Sequence, residues 1–192
     1  MRDESNETPV DKAINGNDIV AIGSSMQESE MLSNEYTFGF RVHVACEITN
    51  ITYRQIDYWA RTSLVAPSIR NATGSGSQRL YSFKDILVLK VVKSLLDAGI
   101  SLRNSRLAAE LIRSRDMRTL AQMTLISDGN AMYECMTHED VIAVIDRGRA
   151  VFAFALTETM HELINIVASL PTTPGGNQRY AKALLEPTDP LI

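Results

Sequence analysis

Between Val42 and Ile112 two very short helical segments are made to meet at a corner, and that corner limits the folds open to the chain. Val44, Ala45 and Ile48 give the first segment, His43 to Thr49, an apolar stripe at helical spacing. Asn50 tolerates the left-handed backbone that stops a helix. Ile51 packs the turn. Thr52, with Gln55 three residues later, forms a capping box that starts a second helix at Tyr53. In that helix, Tyr53 to Thr62, Ile56, Trp59 and Ala60 lie at i, i+3 and i+4 and face inward. Tyr53, Arg54, Asp57, Tyr58 and Arg61 are left facing outward.

Pro67 ends this unit, and two short extended arms follow, flanking the Gly/Ser tip Thr73-Gly74-Ser75-Gly76-Ser77. The arms predict a hairpin, or wing, with Arg70 on its outgoing arm and Arg79 and Tyr81 on its return. Ser82 caps a third helix, with Asp85 as the acidic residue in its first turn. Ile86, Leu87, Leu89, Val91, Val92, Leu95 and Leu96 make that helix apolar nearly all round, and Gly99 stops it. Ser101 caps a fourth, in which Leu102, Leu107, Ala108, Leu111 and Ile112 form one side. The layout is a winged helix-turn-helix.

A smaller unit follows. Met123 to Ile126 and Met132 to Met136 read as strands joined by the tight turn Asp128-Gly129-Asn130. Thr137 caps a helix that runs to Gly148, Ala150 to Leu156 reads as a third strand, and Thr157 to Leu170 as a closing helix. The expected fold is α+β: four helices and a wing hairpin, then a ββαβα unit. The expected divisions are an acidic disordered segment over 1–36, the winged module over 37–116, the small unit over 117–170 and a flexible tail over 171–192. The patch Ile19 to Ile22 lacks a flanking periodic pattern, so no element is assigned to it.

Charge follows these divisions. Residues 41–118 carry 13 basic against six acidic residues, a net +7, while residues 1–40 are −6 and residues 119–192 are −5. The overall −4 thus hides a cationic module between two acidic flanks. Clustered Lys and Arg attract nucleic acid by neutralising phosphates and releasing counterions. Cys46 and Cys135 are far apart, and His43, His138 and His161 are scattered, so no cofactor or metal is expected. There is no apolar leader and no apolar run of ~18 residues, so the expectation is a cytoplasmic, nucleoid-associated protein without a membrane partner. No phosphate loop, nucleophile elbow, metal pair or carboxylate dyad suggests an enzyme.

The segment Val42 to Ile112 resembles the MerR family of bacterial transcription regulators. The resemblance is carried by Ile51-Thr52, by Tyr58-Trp59-Ala60-Arg61-Thr62-Ser63-Leu64-Val65 with Pro67, by Gln78-Arg79-Leu80-Tyr81-Ser82 and by Leu95-Leu96-Asp97-Ala98-Gly99-Ile100-Ser101-Leu102. The wording around the second helix and wing is similar to an actinobacterial subgroup linked to cell-division or chromosome-segregation genes. The resemblance implies a homodimer that binds a promoter palindrome in double-stranded DNA and distorts it, with RNA polymerase as a further partner. It also implies a small-molecule or protein effector at 117–170, where Phe152 and Phe154 fit a core or a pocket equally well. Three departures stand out: Asp57 replaces the usual Arg, the wing is longer than usual, and the long dimerisation coiled coil is missing.

The candidate DNA-binding residues are Thr52, Tyr53, Arg54, Tyr58, Arg61, Arg70, Arg79, Tyr81, Arg103 and Arg106. Arg54 and Tyr53 are placed to reach base edges in the major groove. Tyr58 and Arg61 are placed to meet phosphates, Tyr58 alternatively packing into the core. Arg79 is placed for a phosphate or the minor groove, with Arg70, Arg103 and Arg106 extending the strip. Tyr81 has two roles open to it: a hydroxyl contact to the DNA backbone, or packing of the wing onto the third helix. A second reading is an architectural, excisionase-like protein that bends DNA without an effector.

Overall fold

The computed structural model describes residues 19–21, 38–72, 78–147 and 152–170. The rest of the expected disordered segment, the wing tip and the tail lie outside the described residues. In chain order the elements are β1 (Ile19–Ala21), β2 (Phe38–Arg41), α1 (Val42–Thr49), α2 (Tyr53–Arg61), β3 (Leu80–Tyr81), α3 (Phe83–Asp97) and α4 (Leu102–Ser114). They continue as α5 (Met117–Leu120), β4 (Thr124–Ser127), β5 (Met132–Cys135), α6 (His138–Asp146), β6 (Phe152–Ala155) and α7 (Leu156–Ser169).

The local signals hold as geometry. Asn50 sits at φ 54° and its N–H bonds back to the Glu47 carbonyl. The Thr52 hydroxyl accepts from the Gln55 N–H at 3.2 Å, and the Gln55 side chain accepts from the Thr52 N–H at 3.0 Å. Ser82 and Asp85 form the same reciprocal pair at the start of α3. Asp85 does more than cap. Its Oδ2 also accepts from the backbone N–H and the hydroxyl of Ser68, at 2.7 and 2.6 Å. One buried carboxylate therefore pins the chain leaving α2 to the helix that follows the wing. Ser63, at φ 55°, turns the chain out of α2 in the left-handed region.

Pairing between distant segments departs from the expectation. Ile19–Ala21, inside the segment expected to be disordered, pairs antiparallel with Phe38–Arg41, which in turn pairs with Leu80–Tyr81. The order is β1-β2-β3. The return arm of the wing is thus a sheet strand, and the hairpin closes at a single Arg70–Leu80 bridge with N–H···O distances of 3.3 and 2.9 Å. Three-residue and two-residue strands carry too few side chains to show alternation, so their partners were not legible.

The second sheet, β5-β4-β6, has β4 in the middle and antiparallel to both neighbours. Its Asp128-Gly129-Asn130 turn places Gly129 at φ 90°, with Asp128 Oδ1 accepting from the Asn130 and Ala131 N–H groups. This sheet and α7 share one core with α1–α4. Leu120, Met123, Leu125, Leu156, Met160, Leu163, Ile164 and Val167 are buried with Val44, Ile56, Trp59, Leu87 and Leu95 in a single cluster. Lys90 on α3 bonds Glu162 on α7 at 3.0 Å. That accounts for the nearly all-round apolar pattern of α3: a helix with only a narrow polar stripe needs cover on its other sides. A smaller cluster of Ile126, Cys135 and Val144 seats α6 on the opposite face of the sheet. Among the described residues no helix is long and apolar enough to cross a membrane.

Ser82→Ala removes the α3 cap and loosens the Ser68–Asp85 clamp. It should lower unfolding stability by about 1–2 kcal/mol in a denaturant titration.

Candidate nucleic-acid interface

Helix α2 has two chemically distinct faces. Ile56, Trp59 and Ala60 are buried, and Trp59 anchors the helix to the core. On the other side Tyr53 is 66% and Tyr58 53% exposed, and Thr52, Arg54 and Arg61 are exposed beside them. Tyr58 thus lies outside the buried core, with about half of its surface open to solvent. The opening turn of a well-capped helix therefore offers solvent a phenol, a guanidinium and its own backbone N–H groups. These are donors suited to base edges and phosphates.

Asp57 organises the same face. Its Oδ1 accepts from Arg79 Nη1 at 2.8 Å, and its Oδ2 pairs with Arg61 Nη2 at 2.5 Å. The Arg61 side chain stays 68% exposed, whereas that of Arg79 is 14% exposed and lies against α2. The hydrogen bond from Arg79 holds the Asp57 carboxyl below its usual range against the opposing effect of desolvation, with the Arg61 charge adding to it. A lowered carboxyl contributes above its unfolded value of about 3.9 and is lost only as pH falls through the folded value. The pair is therefore intact throughout the neutral range.

Tyr81 is fully buried, which settles its two open roles in favour of packing the wing onto the third helix. Its hydroxyl does not reach the surface, so Tyr81 leaves the set of candidate DNA contacts. Burial pushes its phenol well above the ordinary range, with the nearby Arg79 charge acting the other way. The hydroxyl is buried without a hydrogen-bond partner among the described residues, as are Arg41 Nε and Arg79 Nε. Cys46, half-buried on α1, has its thiol pushed up to about 11 by burial, so it is protonated at neutral pH.

The remaining candidates split by how far they are engaged. Arg70 is exposed, and its Nε donates to the Gln78 carbonyl at 3.0 Å, stiffening the base of the wing. Arg103 is exposed in the first turn of α4. Arg106, one turn further, donates from Nη1 to the Ser63 carbonyl at 3.2 Å and so braces the end of α2. Two residues escaped the sequence reading. Asp57 has an outward place in the sequence pattern and is marked as a departure from the family without a role assigned to it, and Arg113 is not singled out. Arg113 donates to the Leu64 and Ala66 carbonyls at 3.4 and 3.3 Å. Its spacing of seven from Arg106, two helical turns, is the signal that could have found it. Lys90 and Lys93 are tied to Glu162 and Asp97.

Residues 40–110 match the family described as MerR HTH family regulatory protein. The chain is 58% identical over 130 residues to an HTH-type transcriptional regulator of Mycobacterium bovis, a stretch covering 68% of this chain and 58% of that relative. A regulator of the same description from Mycobacterium tuberculosis matches to the same extent. The HTH-type transcriptional regulator GlnR of Bacillus anthracis is 33% identical over 63 residues, 33% of this chain and 46% of the relative. The chain thus spans 58% of the length of the mycobacterial relatives it matches. All three are described as HTH-type transcriptional regulators.

Because its hydroxyl has no partner among the described residues, Tyr81→Phe should be neutral or stabilising by up to about 1 kcal/mol. DNA affinity should be unchanged. A loss of stability on chemical denaturation would show that the hydroxyl is satisfied after all.

Proposed function

We propose, because the chain belongs to the MerR family of helix-turn-helix regulatory proteins, that it is a transcription regulator which reads duplex DNA with the outer face of α2. The observation that carries this reading is the split of a single nine-residue helix. Its Ile56-Trp59-Ala60 face is buried and its Tyr53-Arg54-Tyr58-Arg61 face is open to solvent. In this reading Tyr53 and Arg54 meet base edges, while Thr52, Tyr58 and Arg61 fix the helix to phosphates. Arg79 and Arg70 extend the contact along the wing, and Arg103 and Arg106 along the start of α4. The net +7 of residues 41–118 supports a partner with phosphate charge.

The finer parts of the proposal are these. Two copies bind a promoter palindrome and distort it, which costs several kcal/mol that wing and helix contacts must offset. With no long coiled coil among the described residues, the copies meet through residues 117–170 or the short helices. Residues 117–170 are also the place for a small-molecule or protein effector, and RNA polymerase is the downstream partner. The regulated genes include those of cell division, and the protein works on the nucleoid in the cytoplasm.

Arg54→Ala should relax preference at one base position, costing about 1–3 kcal/mol on the matched site and little on unrelated DNA. Equilibrium binding to a series of single-base operator variants measures this. Footprinting the parent on its own promoter should show a symmetric protected region with distorted, hypersensitive steps at its centre. An asymmetric, undistorted footprint overturns the dimer and distortion parts.

A further inference from the structure

A carboxylate in the middle of a surface that meets phosphates weakens binding to every DNA sequence. Asp57 occupies such a place, one helical turn after Tyr53 and one before Arg61, on the open side of α2. It is not spare. Both of its oxygens are committed, Oδ1 to Arg79 on the wing and Oδ2 to Arg61 on the helix. Arg61 stays largely open after the contact, whereas Arg79 is mostly covered, its Nε is buried, and only a small part of its guanidinium is left toward solvent. A guanidinium has five N–H donors, and the paired atoms are Nη1 of Arg79 and Nη2 of Arg61.

We propose that Asp57 sets the sequence discrimination of this interface. It joins the return arm of the wing to α2 across 22 residues of chain, so the open guanidinium of Arg61 and the uncovered part of Arg79 are held at one fixed spacing. A duplex whose phosphates fit that spacing is bound without rearrangement. One that does not must either break the ion pairs or bring its phosphates up to an uncompensated carboxylate. Asp57 is thus a positioning residue: it acts through Arg61 and Arg79 rather than by touching a base. The inference rests on the regulator reading above.

The test uses the full chain as parent, Asp57→Asn, Asp57→Glu, Arg79→Gln and the double variant Asp57→Asn/Arg79→Gln. The parent first selects its preferred duplex from a randomised pool. All five proteins are then titrated with that duplex and with a random-sequence duplex over a range of salt. Asp57→Asn should bind the random duplex about three- to ten-fold tighter, with a log affinity against log salt slope steeper by about one. It should gain little on the selected duplex, so the ratio between them falls. Asp57→Glu should keep the parent ratio. In the Arg79→Gln background, Asp57→Asn should change the ratio much less. The proposal is overturned if Asp57→Asn leaves ratio and slope unchanged, or if it weakens both duplexes in parallel, as loss of local structure would. If the parent itself enriches no preferred duplex, the regulator reading fails first, and this inference with it.

Discussion

Helix α3 is the constraint on which the rest of the molecule depends. Nine of its fifteen residues are buried, including Ile86, Leu87, Val88 and Leu89 in succession, and only a narrow stripe of Lys90, Lys93, Ser94 and Asp97 is left toward water. Such a helix is stable only if other elements surround it. Here α1, α4, α7, β2 and β3 all pack on it. The carboxylate of Asp85 at its start ties in the Ser68 segment, and Lys90 in its middle reaches Glu162. Helix α2 is held in place by this arrangement at second hand. α2 packs through Ile56 and Trp59, and its exit is braced by Arg106 and Arg113 from α4. Its outer face is left to polar groups.

That outer face shows how position changes the value of a charge. Arg61 and Arg79 carry equal charges and share one carboxylate, yet one is two-thirds exposed and the other nearly covered. An exposed ion pair is worth little to stability because water screens it. Its geometric effect is larger, since two long flexible side chains are restricted to one placement. The wing arm is thereby given a fixed relation to α2 that its two-residue strand and single-bridge hairpin base supply only weakly.

What was legible in the sequence was local. Each of the caps at Thr52, Ser82, Ser101 and Thr137, and the left-handed stop at Asn50, depends on residues within four positions of one another. Their chemistry is therefore written in the spacing. What was not legible joins distant residues. The β1-β2-β3 sheet brings together segments more than fifteen residues apart, and each strand is too short to show a period. Asp57 and Arg79 meet across 22 positions, and nothing in either neighbourhood announces the pair. Tyr81 was left with two roles because a tyrosine on a two-residue strand can point either way. Only its burial against the core decides between them.

The same distinction explains why residues 117–170 looked separate. Their acidic charge and their own run of strands and helices set them apart from the basic module, and both features are read along the chain. Core membership is not. Met160, Leu163, Ile164 and Val167 recur at helical spacing on α7, which predicts a buried stripe without saying what covers it. The matching clue is on α3, whose apolar positions run nearly all the way round, more than a four-helix module alone would cover. A helix with too much apolar surface for its own unit implies a second unit packed against it. Here that unit is the β4-β6 sheet with α7, so surface charge changes sign along the chain while the core beneath it remains continuous.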